Sequence, residues 1–399
     1  MNREEFLALI SPEGQQLLGE ISELDQKIDV VKLVSKLRQQ GHSPLVVAAV
    51  LDQAKLRRRG SSKFGEFANT MFFTEAGLEQ ASRLQVAALH AGRFRKAGLK
   101  KVGDLGCGIG AESMAMASID LEVTAVEIDE VTAACASYNL APFENARVVC
   151  ADVAEINLDE FDGLFFDPAR RELSNPRGSR TVRKFNPADF SPNFNFVLEC
   201  ATKKPTGIKL GPGHPLEEIP TDAEAQWVSV RGDLVELGLW FGALKRPSVS
   251  RSALLIDSEG THELNSDSHE RRSANVGDLA EFIYEPDNAI IRSQLIAELA
   301  EQFRLCLIHP EIAYLTSTEK VQTPWLRGFR VLQNLPFDRK QLRAELRRRE
   351  IGTLEIKKRG SDVVPELLRK ELQLKGKGTA TLIVTRVGDA HRALICEAI

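Results

Sequence analysis

A glycine loop and four carboxylates carry the chemistry legible in this sequence. The string DLGCGIG, Asp104 to Gly110, joins a short apolar run, KVGDL, to a helical one. Gly106, Gly108 and Gly110 let the backbone turn tightly and approach a ligand, and the N-terminus of the next helix points at the same place. Glu127 follows LEVTAV, Asp152 follows ARVVCA and Asp167 follows FDGLFF. Singly, each acid has a plain structural use: Asp104 can cap a loop, and Asp152 can cap the next helix. Four at successive run ends, around one glycine loop, argue for a shared ligand.

With Ala111 the loop also satisfies GxGxxA, so a dinucleotide is the competing ligand. Charge separates the two. A carboxylate two residues before the first glycine faces a pyrophosphate unfavourably, whereas S-adenosylmethionine has no phosphate and carries a sulfonium and an ammonium. On that reading Glu127 accepts both ribose hydroxyls, Asp152 reaches the adenine amine and Asp167 stands beside the transferable methyl group.

The elements that must position these residues follow from periodicity. Up to about Leu99 the pattern is helical: SPLVVAAVLDQAKLRRR starts with Ser43 as a cap and Pro44 in the first turn, and TEAGLEQASRLQVAALHAGRF reads as a helix from Thr74. From Lys101 short apolar runs alternate with helical ones as far as TGIKL, which argues a parallel sheet with crossover helices. QWVSVRGDLVELGLWF reads as an antiparallel hairpin at the sheet edge, turning at Arg231 to Asp233. Beyond about Pro247 the pattern is less regular, with a polar stretch near Asn265 to Ser273, and a small α/β unit then runs from Glu281 to about Val331. The last segment reads strand, helix, strand, helix, strand, strand, with Asp338 capping its first helix and Pro365 opening its second.

Composition bounds the class. With 399 residues, 43% of them hydrophobic, the chain can fill two to four domains. The acidic N-terminus and short apolar runs predict neither a secretory signal nor a membrane span. Six scattered cysteines and seven histidines form no metal-ligand spacing, so the expectation is no metal and a reducing cytoplasmic home. Net charge is −4, but Leu326 to Ile399 holds 17 Lys and Arg against 9 Asp and Glu, leaving it at +8 and the remainder at −12. That asymmetry fits a polyanionic partner, and equally a set of solvated helix faces.

Residues 101–241 resemble the class I S-adenosylmethionine-dependent methyltransferases. FTEAGLEQAS, FDPARR, GTLEIKKRG and TATLIVTRV further resemble a bacterial family that joins this fold to a THUMP-like C-terminal domain. The resemblance implies an α/β, Rossmann-like fold with strand order 3-2-1-4-5-7-6, divided into a helical region (1–86), the methyltransferase domain (87–262), a small ferredoxin-like α/β domain (275–330) and the THUMP-like domain (331–399). It implies S-adenosylmethionine held by Asp104, Gly106, Cys107, Gly108, Gly110, Glu127, Ile128, Asp152 and Val153, with Asp167 and Pro168 catalytic. THUMP domains bind RNA, so a tRNA or rRNA partner is implied. The clusters at Arg347–Arg349 and Lys357–Arg359 suit phosphate contacts, Arg348 and Lys358 among them.

The sequence at Asp167 narrows the acceptor. Methyltransferases of exocyclic base amines resemble Asp/Asn-Pro-Pro-aromatic here, but this chain has Ala169 and Arg170 after Asp167 and Pro168, so the stacking ring is absent from its usual place. Uracil-C5 enzymes resemble it more closely, yet need a cysteine nucleophile after the next strand. That strand ends KLGPG, and Cys107, Cys150 and Cys200 all lie elsewhere. Transfer to a base nitrogen is therefore the expectation. Arg170 and Arg171 open a loop of nearly uniform positive charge that can hold substrate phosphates or simply be solvated. Lys209 is either an active-site donor or a strand-end surface charge. A noncatalytic RNA-binding protein on a retained cofactor scaffold, and a protein or small-molecule methyltransferase, are the alternatives.

Overall fold

The computed structural model describes residues 1–22, 30–170, 186 and 189–399. The chain divides into two compact units, Met1–Leu210 with Trp240–Lys245, and Gly211–Leu239 with Arg246–Ile399. No described helix is long and apolar enough to cross a membrane.

The first unit is built on five parallel strands: β1 Lys101–Leu105, β2 Glu122–Glu127, β3 Ala146–Cys150, β4 Gly163–Phe166 and β5 Thr206–Leu210. Their spatial order is β5-β4-β1-β2-β3, with Leu105 paired to Val126 on one side and to Phe166 on the other. β4 and β5 are buried at every residue, as strands covered on both faces must be. Burial of Phe165 and Phe166, both essentially inaccessible, stabilises the sheet by about 1.5–3 kcal/mol each. From β1 the chain adds β2 and β3 on one side, then returns to place β4 on the other. The crevice at the carboxyl ends of β1 and β4 is thus a topological switch point, the usual ligand position in such sheets.

Among the described residues the helical region departs from expectation near Ala81. Helix Pro44–Phe64 starts at Ser43 and Pro44 as read and stops at Gly65, whose φ is 56°. The run from Thr74, however, forms two helices, Glu75–Gln80 and Leu84–Lys96. Thr74 caps the first through its hydroxyl, which accepts from the Gly77 N–H. The break at Ala81–Arg83 has no Gly or Pro to announce it; tertiary bonds to the carbonyls of residues 78–81 hold it open.

β6 Glu224–Val230, in the second unit, and β7 Asp233–Phe241, of which Trp240 and Phe241 fall in the first, flank Arg231 and Gly232, whose φ values of 53° and 87° suit a two-residue hairpin turn. The hairpin is not at the sheet edge. β8 Arg251–Ile256 pairs parallel with β6, and β9 Thr261–Ser266 pairs antiparallel with β8. β8 is wholly buried, whereas β9 alternates exposed and half-buried residues, THELNS. An edge strand with no apolar face reads as loop from composition, which is why the pattern beyond Pro247 looked irregular.

The rest of this unit is a seven-stranded sheet of β10 Phe282–Pro286, β11 Cys306–His309, β12 Ile312–Ser317, β13 Leu326–Pro336, β14 Ile351–Lys358, β15 Gly378–Val387 and β16 Ala390–Ala398. The order is β11-β12-β10-β13-β16-β15-β14. The strand-helix-strand-helix-strand-strand pattern of the last segment is present as read. Asp338 accepts from the Lys340 and Gln341 N–H groups, and Leu342, Leu346, Leu368 and Leu372 turn inward as one cluster with Leu354 and Leu382.

Candidate active site

At the carboxyl ends of the parallel strands lies a cavity of about 190 Å³. Its wall brings together Asp104, Gly106, Cys107, Gly108, Glu127, Ile128, Asp152, Val153, Asp167 and Lys209. Gly106, Gly108 and Gly110 all take positive φ, at 90°, 55° and 85°. A Cβ on Gly106 would come within 3.3 Å of the Asp167 carbonyl oxygen, so the loop and the tip of β4 are packed face to face. Gly110 is not in the cavity wall; it turns the chain into helix Ala111–Ala117. Pro168 is buried just behind Asp167 and is not in the wall either.

The carboxylates are held differently. Asp104 is fully buried: its Oδ2 accepts from Ser113 Oγ at 2.5 Å, and its Oδ1 has no partner. Burial, only partly offset by Ser113, pushes this carboxyl up to about 7. A cation supplied by a ligand would satisfy the orphan oxygen and reverse that shift. Glu127 accepts from the Gly108 N–H at 3.0 Å and from the Asp129 N–H at 2.9 Å. Burial raises it above the usual carboxylate range, while these N–H groups pull it back. Each oxygen keeps a second lone pair. Asp152 Oδ1 accepts from the Ala154 N–H at 2.9 Å, capping the turn Val153–Glu155, so its two readings, cap and cavity wall, hold together.

Asp167 is not alone at the tip of β4. Lys209, at the tip of β5, places Nζ 2.5 Å from Asp167 Oδ2 and donates to the Gln80 carbonyl at 2.9 Å. Its side chain is 10% exposed and that of Asp167 29%. Lys209 is therefore an interior donor of the cavity, not a surface charge.

Sequence reasoning missed another part of the wall. Gln80, Ala81 and Ser82, at the break between the two helices, line the cavity. Lys63 donates to the carbonyls of Leu78, Glu79 and Ala81 at 2.7–2.8 Å, and burial together with Lys209 pushes its ammonium down to about 8. Glu112, also in the wall, lies 3.2 Å from His90 Nδ1 through both oxygens. Burial opposes its charge, yet His90, Lys209 and Ser82 hold it below the usual carboxylate range. FTEAGLEQAS marked this segment as distinctive, but its residue types alone assigned it no task.

Arg170 is described by its backbone, which pairs with Phe190; Arg171, and Arg177, Arg180, Arg183 and Lys184 of the same loop, lie outside the described residues. Arg348 and Lys358 belong to the second unit. Arg348 makes two bonds to Glu345 of its own helix, at 2.7 and 2.8 Å, and Lys358 is exposed. Among the described residues no three His, Cys, Asp or Glu side chains are grouped to hold a metal ion.

A curated protein of Mycobacterium tuberculosis, found in strains CDC 1551 and H37Rv and named an uncharacterized S-adenosylmethionine-dependent methyltransferase, is 32% identical over 349 residues, covering 85% of this chain and 92% of its own. This chain belongs to the S-adenosylmethionine-dependent methyltransferases. Within it, the family described as methyltransferase small domain matches residues 67–176, that described as THUMP domain-like matches 326–398, and a domain of unknown function matches 2–60. A crystal structure from Porphyromonas gingivalis W83, of a protein proposed to be a methyltransferase, superposes with a TM-score of 0.72 at 19% identity, covering 99% of this chain and 98% of that one. It shares the fold.

S-adenosylmethionine is the cofactor of this methyltransferase, and the cavity suits it. The orphan oxygen of Asp104 offers a partner to an ammonium, Glu127 has lone pairs for vicinal hydroxyls, and Asp152 keeps an oxygen for an amine.

Proposed function

We propose that this enzyme methylates a base nitrogen of an RNA, a tRNA or rRNA. S-adenosylmethionine supplies an electrophilic methyl carbon. Asp104, Glu127 and Asp152, with the backbone of Gly106, Cys107 and Gly108 and the side chains of Ile128 and Val153, hold it, and Gly110 shapes the loop that presents these groups. The observation that carries the acceptor assignment is Asp167: a partly exposed carboxylate at the tip of β4, in the cavity wall and packed against the glycine loop. There it accepts a hydrogen bond from the attacking nitrogen and holds the lone pair in line, so that most of the acceleration comes from proximity and orientation. Pro168 fixes the backbone behind it.

The RNA assignment is supported by the THUMP domain-like match over 326–398 and by the +8 charge of that segment. Phosphate contacts from Arg348, Lys358 and their neighbours supply affinity without sequence preference, and Arg170 and Arg171, close to Asp167 in the sequence, extend the same chemistry. The test compares nucleosides of bulk tRNA and rRNA from cells with and without the gene. Loss of one nitrogen-methylated nucleoside is the expected result. Unchanged RNA nucleosides, with labelled methyl appearing in protein or small molecules, would overturn the assignment.

A further inference from the structure

An acid for an acceptor amine needs no lysine beside it, yet Lys209 Nζ stands 2.5 Å from Asp167 Oδ2 within the cavity wall. The pair distinguishes two kinds of base nitrogen by the sign of charge each develops. Methylation of an exocyclic amine, as on adenine or cytosine, builds positive charge on the acceptor, which an ammonium at the same wall opposes and a neutralised carboxylate supports less. Methylation of a lactam nitrogen, an N–H bonded to a carbonyl carbon, needs a base for the proton and a cation for the negative charge that spreads to the carbonyl oxygen. A carboxylate and an ammonium side by side supply both.

We propose that the Asp167–Lys209 pair selects a lactam nitrogen of the RNA base, guanine N1 or uracil N3, and that Lys209 is a catalytic residue donating to the adjacent carbonyl oxygen. In the step, the N–H proton passes to the Asp167 carboxylate. The electron pair left on nitrogen, shared with the carbonyl oxygen facing Lys209, forms the new N–C bond as the C–S bond breaks and its pair returns to sulfur. The two groups are fixed on neighbouring strand tips, β4 and β5, and Lys209 is steadied by the Gln80 carbonyl at 2.9 Å, so the donor and the base keep their spacing before the acceptor arrives. The break at Ala81–Arg83 is what exposes that carbonyl to Lys209.

The inference rests on the RNA reading above, and one experiment separates them. Bulk RNA from cells lacking the protein is incubated with methyl-labelled S-adenosylmethionine and the purified full chain, and the labelled nucleoside is identified. N1-methylguanosine or N3-methyluridine is expected. A methyl on an exocyclic amine overturns the lactam assignment and leaves the RNA reading standing, whereas no label in RNA overturns both. Variants assign Lys209. Lys209→Met should lower kcat/KM for RNA at least a hundredfold with S-adenosylhomocysteine affinity unchanged within twofold, and Lys209→Arg should restore part of it. In the Asp167→Asn background, Lys209→Met should cost at least a further tenfold. No further loss there would make Lys209 only a support for Asp167, and a tenfold loss of S-adenosylhomocysteine affinity would assign it to the cofactor's carboxylate instead.

Discussion

Lowering the pH from 8 to 6 should weaken cofactor binding, and Asp104 is the reason. Burial pushes its carboxyl up to about 7 in the cofactor-free protein, whereas a bound ammonium near Oδ1 favours the charged form. Binding at pH 6 must therefore release a proton. A group near pH 7 is about nine-tenths ionised at pH 8 and about one-tenth at pH 6, so affinity should fall roughly tenfold. Calorimetry at pH 6 in two buffers of different ionisation heat should show close to one proton released, and little release at pH 8. Asp104→Asn should bind more weakly at every pH and lose most of the slope; Glu127, whose carboxyl burial also raises, contributes to what remains. The same shift has a consequence for stability. The folded Asp104 carboxyl lies above the ordinary aspartate range, so between about pH 4 and 7 the folded chain holds a proton that the unfolded chain has lost. Stability falls as pH rises through that window, by at most about 4 kcal/mol from this group, and Asp104→Asn should flatten the fall. An unchanged pH slope of affinity in the Asn variant would refute the reasoning.

Other outcomes follow from the same geometry. Glu127→Ala should weaken S-adenosylmethionine binding by about 1.5–3 kcal/mol, the range for hydrogen bonds to a charged group, as read by calorimetry. Lys63→Met removes three bonds to the carbonyls of Leu78, Glu79 and Ala81; it should cost about 1–3 kcal/mol in urea unfolding and raise hydrogen exchange at Gln80–Ser82. Charge reversal at Lys358 together with Arg348 should weaken binding to many RNAs alike and flatten the salt dependence measured by filter binding; Lys358, exposed, should account for more of it than Arg348, which is paired with Glu345.

What could be read in advance was whatever local pattern determines. The glycine loop, the acids at the strand ends and the parallel core depend on residue type and period, and all appear where the runs placed them. Asp152 is both helix cap and cavity wall because a carboxylate has two oxygens, an outcome that weighing the two uses against each other did not anticipate. The break at Ala81–Arg83 depends on Lys63 and Lys209, residues 18 and 128 positions from Ala81, and no window along the chain contains both. β9 was hidden by its polarity, and the ion pair of Lys209 by the distance in sequence between two strands that are neighbours only in the sheet.

Asp167 is proposed to be the residue that meets the acceptor. The most direct measurement is transfer of labelled methyl into RNA from cells lacking the protein, compared between wild type and Asp167→Ala at matched S-adenosylhomocysteine affinity. The variant should fold, bind S-adenosylhomocysteine within about twofold of wild type and lose nearly all transfer. Full transfer by the folded variant would contradict the proposal.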